Sequence, residues 1–167
     1  FNRVSAKKQA AKNERRDPNY DFGTNPCSEI ILRPYQFCNL TEVVVKEGDR
    51  DKDIENKIRL ATILGTAQAT LTDFPYLRKI WRNNTEEERL LGVSLTGIMD
   101  NIHTNCYLVD MDKRLPRFKQ VAIDTNKKYA KEFGIQESTA ITCVKPSGTV
   151  SQLCDSASGI HARHSKY

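Results

Sequence analysis

Apolar residues recur at helical spacing in two long segments of this chain, 51–72 and 115–135. Spacings of three, four or seven residues place side chains on one face of an α-helix, so both segments are predicted to be amphipathic helices. Pro116 stands near the start of the second segment and Gly134 at its end, as these residues favour at helix boundaries. The predicted buried faces are Ile54, Ile58, Ala61, Leu64 and Leu71 in the first helix and Phe118, Val121, Ala122, Thr125 and Tyr129 in the second.

Short runs rich in β-branched residues predict strands between these helices. They are "EIIL" at 29–32, "LTEVVV" at 40–45 and "TAITCV" at 139–144, of which the last is expected to be buried. Residues 89–100 are ambiguous, because Leu91, Val93 and Leu95 alternate as in a strand while a helix can start at Thr96. Strands that alternate with helices predict an α/β architecture with parallel strands.

The remaining segments carry weaker signals. Residues 4–16 have helical composition, and the Pro, Gly, Asn and Asp content of residues 16–26 predicts a loop. Residues 74–85 are either irregular or a second short helix. Thr85 and Glu88 have the spacing of a capping box, which predicts a helix start at Thr85.

Positive charge is concentrated at the beginning of the chain. Residues 1–16 carry six Lys or Arg and one Glu, which equals the net charge of +5 for all 167 residues. The basic stretch from Lys7 to Arg16 is typical either of a nucleic-acid-binding module or of a solvated helix face. The solvated face is the favoured interpretation, because no aromatic residues are interleaved with the basic ones.

The start of the chain and its apolar content indicate where the protein is located and whether the chain is complete. No apolar run approaches the roughly 20 residues of a membrane span, and the start lacks a signal-peptide pattern. We therefore expect a cytoplasmic protein without a membrane partner. Because the chain opens inside a helical pattern and not at Met, we expect residues 1–167 to be a fragment of a longer protein and an incomplete single domain.

The cysteines and histidines do not predict a metal site. No CxxC pair is present, which argues against a zinc ribbon, and the odd cysteine count argues against a secreted disulfide scaffold. His161 and His164 are three residues apart, but no cluster of carboxylates or thiols nearby completes a ligand set. The five cysteines are Cys27, Cys38, Cys106, Cys143 and Cys154.

The stretch "NPCSE" at 25–29 places an amide, a thiol and a carboxylate at alternate positions. In an extended segment Asn25, Cys27 and Glu29 would project to the same side. A carboxylate raises the pKa of a neighbouring thiol, so this trio does not suit an ordinary nucleophilic cysteine. It suits chemistry that uses the thiol as S–H or as a sulfur radical while the carboxylate acts as a base. The simpler alternative is that Cys27 is a small buried hydrophobe.

A second candidate site is the stretch "KPSGTVS" at 145–151, which follows a predicted strand. Gly148 permits a tight turn, and hydroxyls with successive backbone N–H groups can cradle a phosphate. The stretch lacks the Walker A pattern, so it is not an ATPase loop. An ordinary small-residue turn explains it equally well.

Taken together, these stretches resemble the catalytic subunit of ribonucleotide reductases. The similarity lies in four ordered motifs: "NPCSE", the "CNL" at 38–40, "RLLGVSLTG" at 89–97 and "PSGT" at 146–149. The short Cys27–Cys38 interval and the "PSGTVS" form look most like class II, the adenosylcobalamin-dependent branch, and its monomeric triphosphate-reducing type, which is also found in phages. Ser28 is a departure, since the family usually has Gly there.

The resemblance implies a role for each matching residue. Cys27 would be the thiyl radical that abstracts the 3′ hydrogen of the ribose, Glu29 the general base and Asn25 a ligand of the ribose hydroxyls. Cys38 would be one half of the redox dithiol whose other cysteine lies N-terminal to this segment. Substrate phosphates would bind at Ser147, Gly148, Thr149, Val150 and Ser151. Cys106, Cys143 and Cys154 match no redox position and are expected to be packing cysteines.

The resemblance also implies an architecture and partners. The fold would be the second half of a ten-stranded α/β barrel with a central finger loop. Implied partners are a ribonucleotide di- or triphosphate, a thioredoxin-type reductant, and allosteric nucleotides bound by regions outside this segment. The cofactor would be adenosylcobalamin, with no metal bound by these residues. The alternative within the family is a class I large subunit, whose radical comes from a metallo-subunit.

Overall fold

A computed structural model describes residues 2–101 and 110–163. The strands are β1 (Gly23–Thr24), β2 (Ile31–Leu32), β3 (Asn39–Val44) and β4 (Leu91–Thr96). The helices are α1 (Asn2–Ala10), α2 (Asp51–Gln68), α3 (Lys79–Glu88), α4 (Met111–Glu132) and α5 (Thr149–Leu153), with a 3₁₀ turn at Ile98–Asp100. None of the helices within the described residues is long and apolar enough to cross a membrane.

The predicted parallel strands are confirmed in the centre of the molecule. β3 and β4 pair in parallel with Asn39 opposite Leu91 and Val44 opposite Thr96. Val93 in turn bridges Thr142 in parallel, so residues 139–144 extend the sheet on the other side of β4. Thr142 is exposed, contrary to the expected buried strand. The architecture is α/β, and the ambiguous residues 91–96 form a strand.

Two amphipathic helices cover this sheet, as their spacing predicts. α4 begins at Met111, and Gly134 follows its end with φ 67, a left-handed conformation that glycine adopts easily. Apolar residues from α2, α4 and the sheet form one cluster, which excludes water from the helix–sheet interface. Its buried members are Val43, Val45, Ile54, Ile58, Val93, Phe118 and Ala122.

The buried face of α2 differs from the prediction in its second half. Leu64 and Leu71 are exposed, whereas Thr62, Gly65 and Thr66 are buried. Each threonine hydroxyl donates to the carbonyl four residues earlier, 2.7 Å away, so neither buries an unsatisfied polar group. A Cβ at Gly65 would already lie 3.4 Å from a methyl group of Leu91. α2 lies too close to β4 for a leucine to fit at positions 62, 65 and 66. This close approach, and not hydrophobicity, determines which face of the helix is buried.

The capping box predicted at Thr85 is wrong. Both Thr85 and Glu88 lie in the last turn of α3, which begins at Lys79. Their polar side chains are buried for another reason. The Glu88 carboxylate, with a fully buried side chain, accepts from Arg16 Nε at 2.9 Å and from Gln36 Nε2 at 2.7 Å, and pairs with Arg33 Nη2 at 3.2 Å.

The same contacts bear on the basic N-terminal segment. Arg16 is buried, and Arg15 donates to the backbone carbonyl of Glu87 and to the side chain of Gln136, each at 2.7 Å. These two arginines therefore serve the fold itself. Lys7, Lys8 and Lys12 are exposed, in keeping with the solvated helix face.

Candidate active site

Residues 25–30 form the tight turn of a β-hairpin and not an extended segment. β1 and β2 pair antiparallel, with Thr24 opposite Ile31. Asn25 N–H donates to the Ile30 carbonyl at 3.2 Å, and Ile30 N–H donates to Asn25 Oδ1 at 3.0 Å. Ser28 has φ 63, a conformation that glycine adopts without strain. This left-handed residue gives a physical reason for a glycine at the position, and Ser28 occupies it here.

The turn changes the expected relation between the three side chains. The alternation argument for Asn25, Cys27 and Glu29 is wrong, because side chains alternate only along an extended strand. Cys27 is exposed at the tip, while the Glu29 side chain is only 2% exposed. Cys27 is therefore not the small buried hydrophobe of the simpler alternative. Asn25 uses Oδ1 to close the turn, and this bond does not involve its amide Nδ2.

Glu29 is a buried carboxylate with an unusual environment. Neither of its oxygens has a hydrogen-bond partner within residues 2–101 and 110–163. Lys145 Nζ lies 3.8 Å from Glu29 Oε1. Lys145 immediately precedes the second candidate site, so the fold brings the hairpin turn beside the loop at 147–151. Lys145 was not among the predicted site residues, although its place next to "PSGT" was a signal for it.

Two thiols share the electrostatic environment of Glu29. Burial raises the pKa of Cys38, and the Glu29 carboxylate raises it further. Burial raises the pKa of Cys143 to about 12, with added contributions from Glu29 and Cys38. Both side chains are half-buried free thiols. Cys143 is thus close to the site, although the sequence suggested only a packing role.

Gly92 provides the space for this arrangement. A Cβ on Gly92 would clash with a methyl group of Leu40, and it would lie 3.1 Å from Cys143 Sγ and 3.2 Å from a methyl group of Ile30. All three contacts are tighter than ordinary van der Waals packing, so a larger residue would displace Leu40, Cys143 or the hairpin. This close approach gives a physical reason for the glycine in the "RLLGVSLTG" motif.

Sheet geometry bears on whether Cys38 pairs with Cys143. Cys38 directly precedes β3, and Cys143 directly follows Thr142, on the opposite side of β4. Two strand spacings separate the segments by roughly 9–10 Å. A disulfide needs Cα atoms less than about 7 Å apart, so these residues do not form one without a large backbone movement.

The loop at 147–151 consists of the turn before α5 and the first three residues of that helix, and it divides into a buried and an exposed part. Ser147 Oγ accepts from Ser151 N–H at 3.1 Å, and Ser151 Oγ donates to the Ser147 carbonyl at 2.9 Å. Both serines are buried, so their hydroxyls build the loop. Gly148, Thr149 and Val150 are exposed and are the part of the predicted phosphate site that a ligand can reach.

A neighbouring segment fixes the loop to the sheet. Ser158 Oγ donates to the Ser147 carbonyl, and Gly159 N–H donates to Thr96 Oγ1 at 2.7 Å. Gly159 has φ 54, and a Cβ there would lie 3.1 Å from the Lys145 carbonyl. The "SGIHARHS" stretch at 158–165 therefore begins as a brace for the loop.

A cavity of about 440 Å³ opens beside the hairpin. Glu29 and Ser28 line it together with three basic residues, Lys12, Arg16 and Lys119. Arg16 is already paired with Glu88, so Lys12 and Lys119 are the basic residues of the cavity wall with exposed side chains.

The remaining candidates contribute less. His161 is exposed, and Cys154 is half-buried just after α5. No group of three or more His, Cys, Asp or Glu side chains within the described residues is placed to hold a metal ion. His103, Cys106 and His164 lie outside the described residues, and so does the pairing of His161 with His164.

Comparison with known proteins supports the resemblance in both sequence and fold, although no protein-family profile matches the chain. An adenosylcobalamin-dependent ribonucleoside-triphosphate reductase of Lactobacillus gasseri is 29% identical over 170 residues, which cover 87% of this chain and 22% of that protein. The reductase of the same name from Lacticaseibacillus paracasei is 28% identical over 190 residues, or 93% of this chain and 24% of that protein.

The fold agrees with these sequence matches. A crystal structure of a B12-dependent, class II ribonucleotide reductase superposes with a TM-score of 0.67 and 27% identity, covering 83% of this chain and 22% of that one. The chain therefore matches a segment of the ribonucleotide reductases. Within them, it is similar to the adenosylcobalamin-dependent branch, class II. It spans about a fifth of the length of these relatives.

Proposed function

We propose that residues 1–167 are a C-terminal portion of the catalytic barrel of a class II ribonucleotide reductase. In this proposal β3, β4 and the segment at 139–144, which bridges β4 at Thr142, belong to a ten-stranded α/β barrel, and the hairpin carrying Cys27 is its finger loop. The match over 83% of the chain to a class II structure supports it. The barrel itself needs strands beyond those described.

The proposed reaction is the reduction of a ribonucleotide to a 2′-deoxyribonucleotide. The observation that carries it is the site at 25–38: an exposed thiol, a buried carboxylate and a second thiol, in a chain that matches reductases in sequence and fold. The named relatives reduce ribonucleoside triphosphates, so a triphosphate is the proposed substrate. Gly148, Thr149 and Val150 would receive its phosphates on their exposed side, with Ser147 and Ser151 holding the loop.

Each site residue has a part that its position can support. Cys27, exposed at the tip, would act as a thiyl radical and remove the 3′ hydrogen of the ribose. Glu29 would take the 3′-hydroxyl proton as general base while the 2′-hydroxyl leaves as water. Asn25 would donate from Nδ2 to a ribose hydroxyl, because its Oδ1 closes the turn.

The reduction also needs two electrons and two protons. In the proposal Cys38 supplies half of them, and a second cysteine from outside these residues supplies the other half. The two thiols become a disulfide as the ribose loses its hydroxyl as water. A thioredoxin-type protein would then reduce the disulfide, and allosteric nucleotides would bind outside this segment.

Adenosylcobalamin is the proposed cofactor, because the named relatives depend on it. When bound, it supplies the radical that starts the reaction. Among the described residues, Cys27 would be the thiol on which that radical forms. The exposure of Cys27 fits a residue that a bulky group must reach from outside the segment.

Reductase assays on the full-length protein test this proposal. Conversion of a ribonucleoside triphosphate should require adenosylcobalamin and no second subunit. Dependence on a metal-containing partner subunit would instead identify class I. Cys38→Ser should block formation of the deoxyribonucleotide, because the one remaining thiol cannot form the disulfide that supplies two electrons to the ribose. Sustained turnover by that variant would contradict the role of Cys38.

A further inference from the structure

Lys145 forms the one ion pair that Glu29 makes within the described residues. A buried carboxylate without hydrogen bonds is costly unless an opposite charge lies close to it. At 3.8 Å the contact is a Coulomb interaction and not a hydrogen bond. Glu29 therefore depends on Lys145 for charge compensation more than on any dipole around it.

The sheet fixes the position of Lys145. Its backbone N–H donates to Ser94 Oγ at 2.9 Å, and Ser94 is a fully buried residue of β4. The next residues, Pro146 and the buried Ser147, lead into the loop at 147–151. The lysine thus connects the hairpin carboxylate to the loop proposed to bind phosphate.

We propose that Lys145 is the positioning residue of Glu29, which holds the carboxylate at the reacting ribose while the loop carries the substrate phosphates. This inference rests on the proposed function. In it, Lys145 acts through Glu29 and touches no reacting atom. Loss of its charge would leave the carboxylate both unpaired and free to turn away.

Four other sets of charged or titratable groups face this pair. The thiols of Cys38 and Cys143 both sense Glu29 and Lys145, with the carboxylate raising and the lysine lowering each thiol pKa. Glu42 on β3 raises the pKa of Cys143 as well. Lys12 and Lys119 lie on the cavity wall. Arg16, also on that wall, is committed to Glu88.

The rate at which Cys38 is alkylated depends on the charges of Glu29 and Lys145, so it tests their ion pair without an activity assay. The rate would be measured in the full-length protein from pH 7 to 10, with mass spectrometry locating the modified cysteine. Lys145→Met should slow it about three- to tenfold at pH 8, because the thiol pKa rises when the cation is lost. Lys145→Arg should leave the rate unchanged, and Glu29→Gln should increase it.

The direction of the change in alkylation rate distinguishes a positioning role of Lys145 from a purely structural one. Loosened packing would expose Cys38 and speed its alkylation at every pH, so a faster Lys145→Met protein would overturn the proposal. An unchanged rate would do the same. The double variant Glu29→Gln/Lys145→Met removes both charges, and it should react faster than Lys145→Met alone, because no unpaired carboxylate remains to raise the pKa of the Cys38 thiol.

Steady-state kinetics supply the second measurement. Lys145→Met should lower kcat at least tenfold with a smaller change in KM, and Lys145→Arg should restore most of it. A rise in KM alone would show that Lys145 binds phosphate and would contradict the assignment. If the wild-type protein lacks reductase activity, the proposed function fails, while the alkylation rates still show whether Lys145 compensates Glu29.

Discussion

The hairpin turn at 25–30 and the loop at 147–151 are held in place by different kinds of hydrogen bonds. Each must fix a short irregular segment and still leave groups accessible to a ligand. The turn uses the backbone and the side chain of Asn25, and it leaves Cys27 exposed above the buried Glu29. The loop uses the hydroxyls of Ser147 and Ser151 and leaves its middle residues exposed. Residue type within a motif therefore does not tell which members build the site and which act in it.

The surroundings of the two segments differ as well. Beside the hairpin, Arg16, Arg33 and Glu88 form a buried charged network that connects the N-terminal segment to α3. The contacts described for the loop are neutral hydrogen bonds, which come from Ser158 Oγ, from Ser156 N–H and from within the loop itself. Charged buried groups are costly to leave unpaired, so we expect the hairpin side to be more sensitive to single changes.

The largest expected effect concerns the exposed thiol. Cys27→Ser should reduce the reductase activity of the full-length protein by about 10⁴-fold or more. A hydroxyl O–H bond is too strong for serine to replace a thiyl radical. Nucleotide binding should persist, because Cys27 is exposed and does not support the turn. Cys154→Ser is the control and should remain active, and substantial turnover by Cys27→Ser would refute the radical assignment.

A change in the charged network should have the next largest effect. Glu88→Gln leaves the buried Arg16 without its carboxylate, whereas Arg33 keeps its pair with Glu87 at 2.7 Å, and the change should lower the free energy of unfolding by about 3–5 kcal/mol. Urea denaturation measures this change. Glu132→Gln is the control, because its side chain is 50% exposed and pairs with the exposed Lys128 at 3.8 Å, and we expect less than about 1 kcal/mol there. Equal effects at the two positions would show that the buried network does not support the fold.

The loop should respond more weakly. Ser151→Ala removes a hydroxyl that donates to the carbonyls of Ser147 and Gly148, each at 2.9 Å, and should cost about 1–3 kcal/mol of unfolding free energy. Val150→Ala changes an exposed neighbour and should stay within about 0.5 kcal/mol. A loss at Ser151 as large as that at Glu88 would contradict the contrast between charged and neutral supports.

The smallest effect is confined to alkaline pH. The folded-state pKa of Cys143 is about 12, above its ordinary value of 9.0, so the folded chain favours the neutral thiol. Stability should therefore fall as pH rises from 9.0 towards 12, since only the unfolded chain ionises readily in that range. Thermal denaturation of the wild type and Cys143→Ser at pH 8 and 10.5 measures this. The variant should lose less stability between the two pH values, and an identical loss would argue against the raised pKa.

The sequence predicted the positions of most helices and strands, but it predicted few of the contacts between them. Spacing located α2 and α4, and β-branched runs located β3 and the segment at 139–144 that bridges β4 at Thr142. It misassigned Leu64 and Leu71, because hydrophobicity does not show where a helix approaches a strand so closely that only Thr and Gly fit. The sequence pattern also placed a helix start at Thr85, because Glu88 has the spacing of a capping residue. In the structure Glu88 instead forms a buried ion pair with residues far away in the chain.

The same division holds at the site. The chain by itself determined the order of elements, the identity of Cys27, Glu29 and Cys38 as candidates, and a resemblance strong enough to suggest ribonucleotide reduction, because these depend on local spacing and residue type. Only the tertiary structure decided that residues 25–30 turn back, that Glu29 is buried, and that Lys145 and Cys143 lie beside it. The turn itself is closed by bonds between Asn25 and Ile30, but its pairing register is a property of the fold. The surroundings of Glu29 depend on contacts between residues more than 100 positions apart, and no local pattern encodes them.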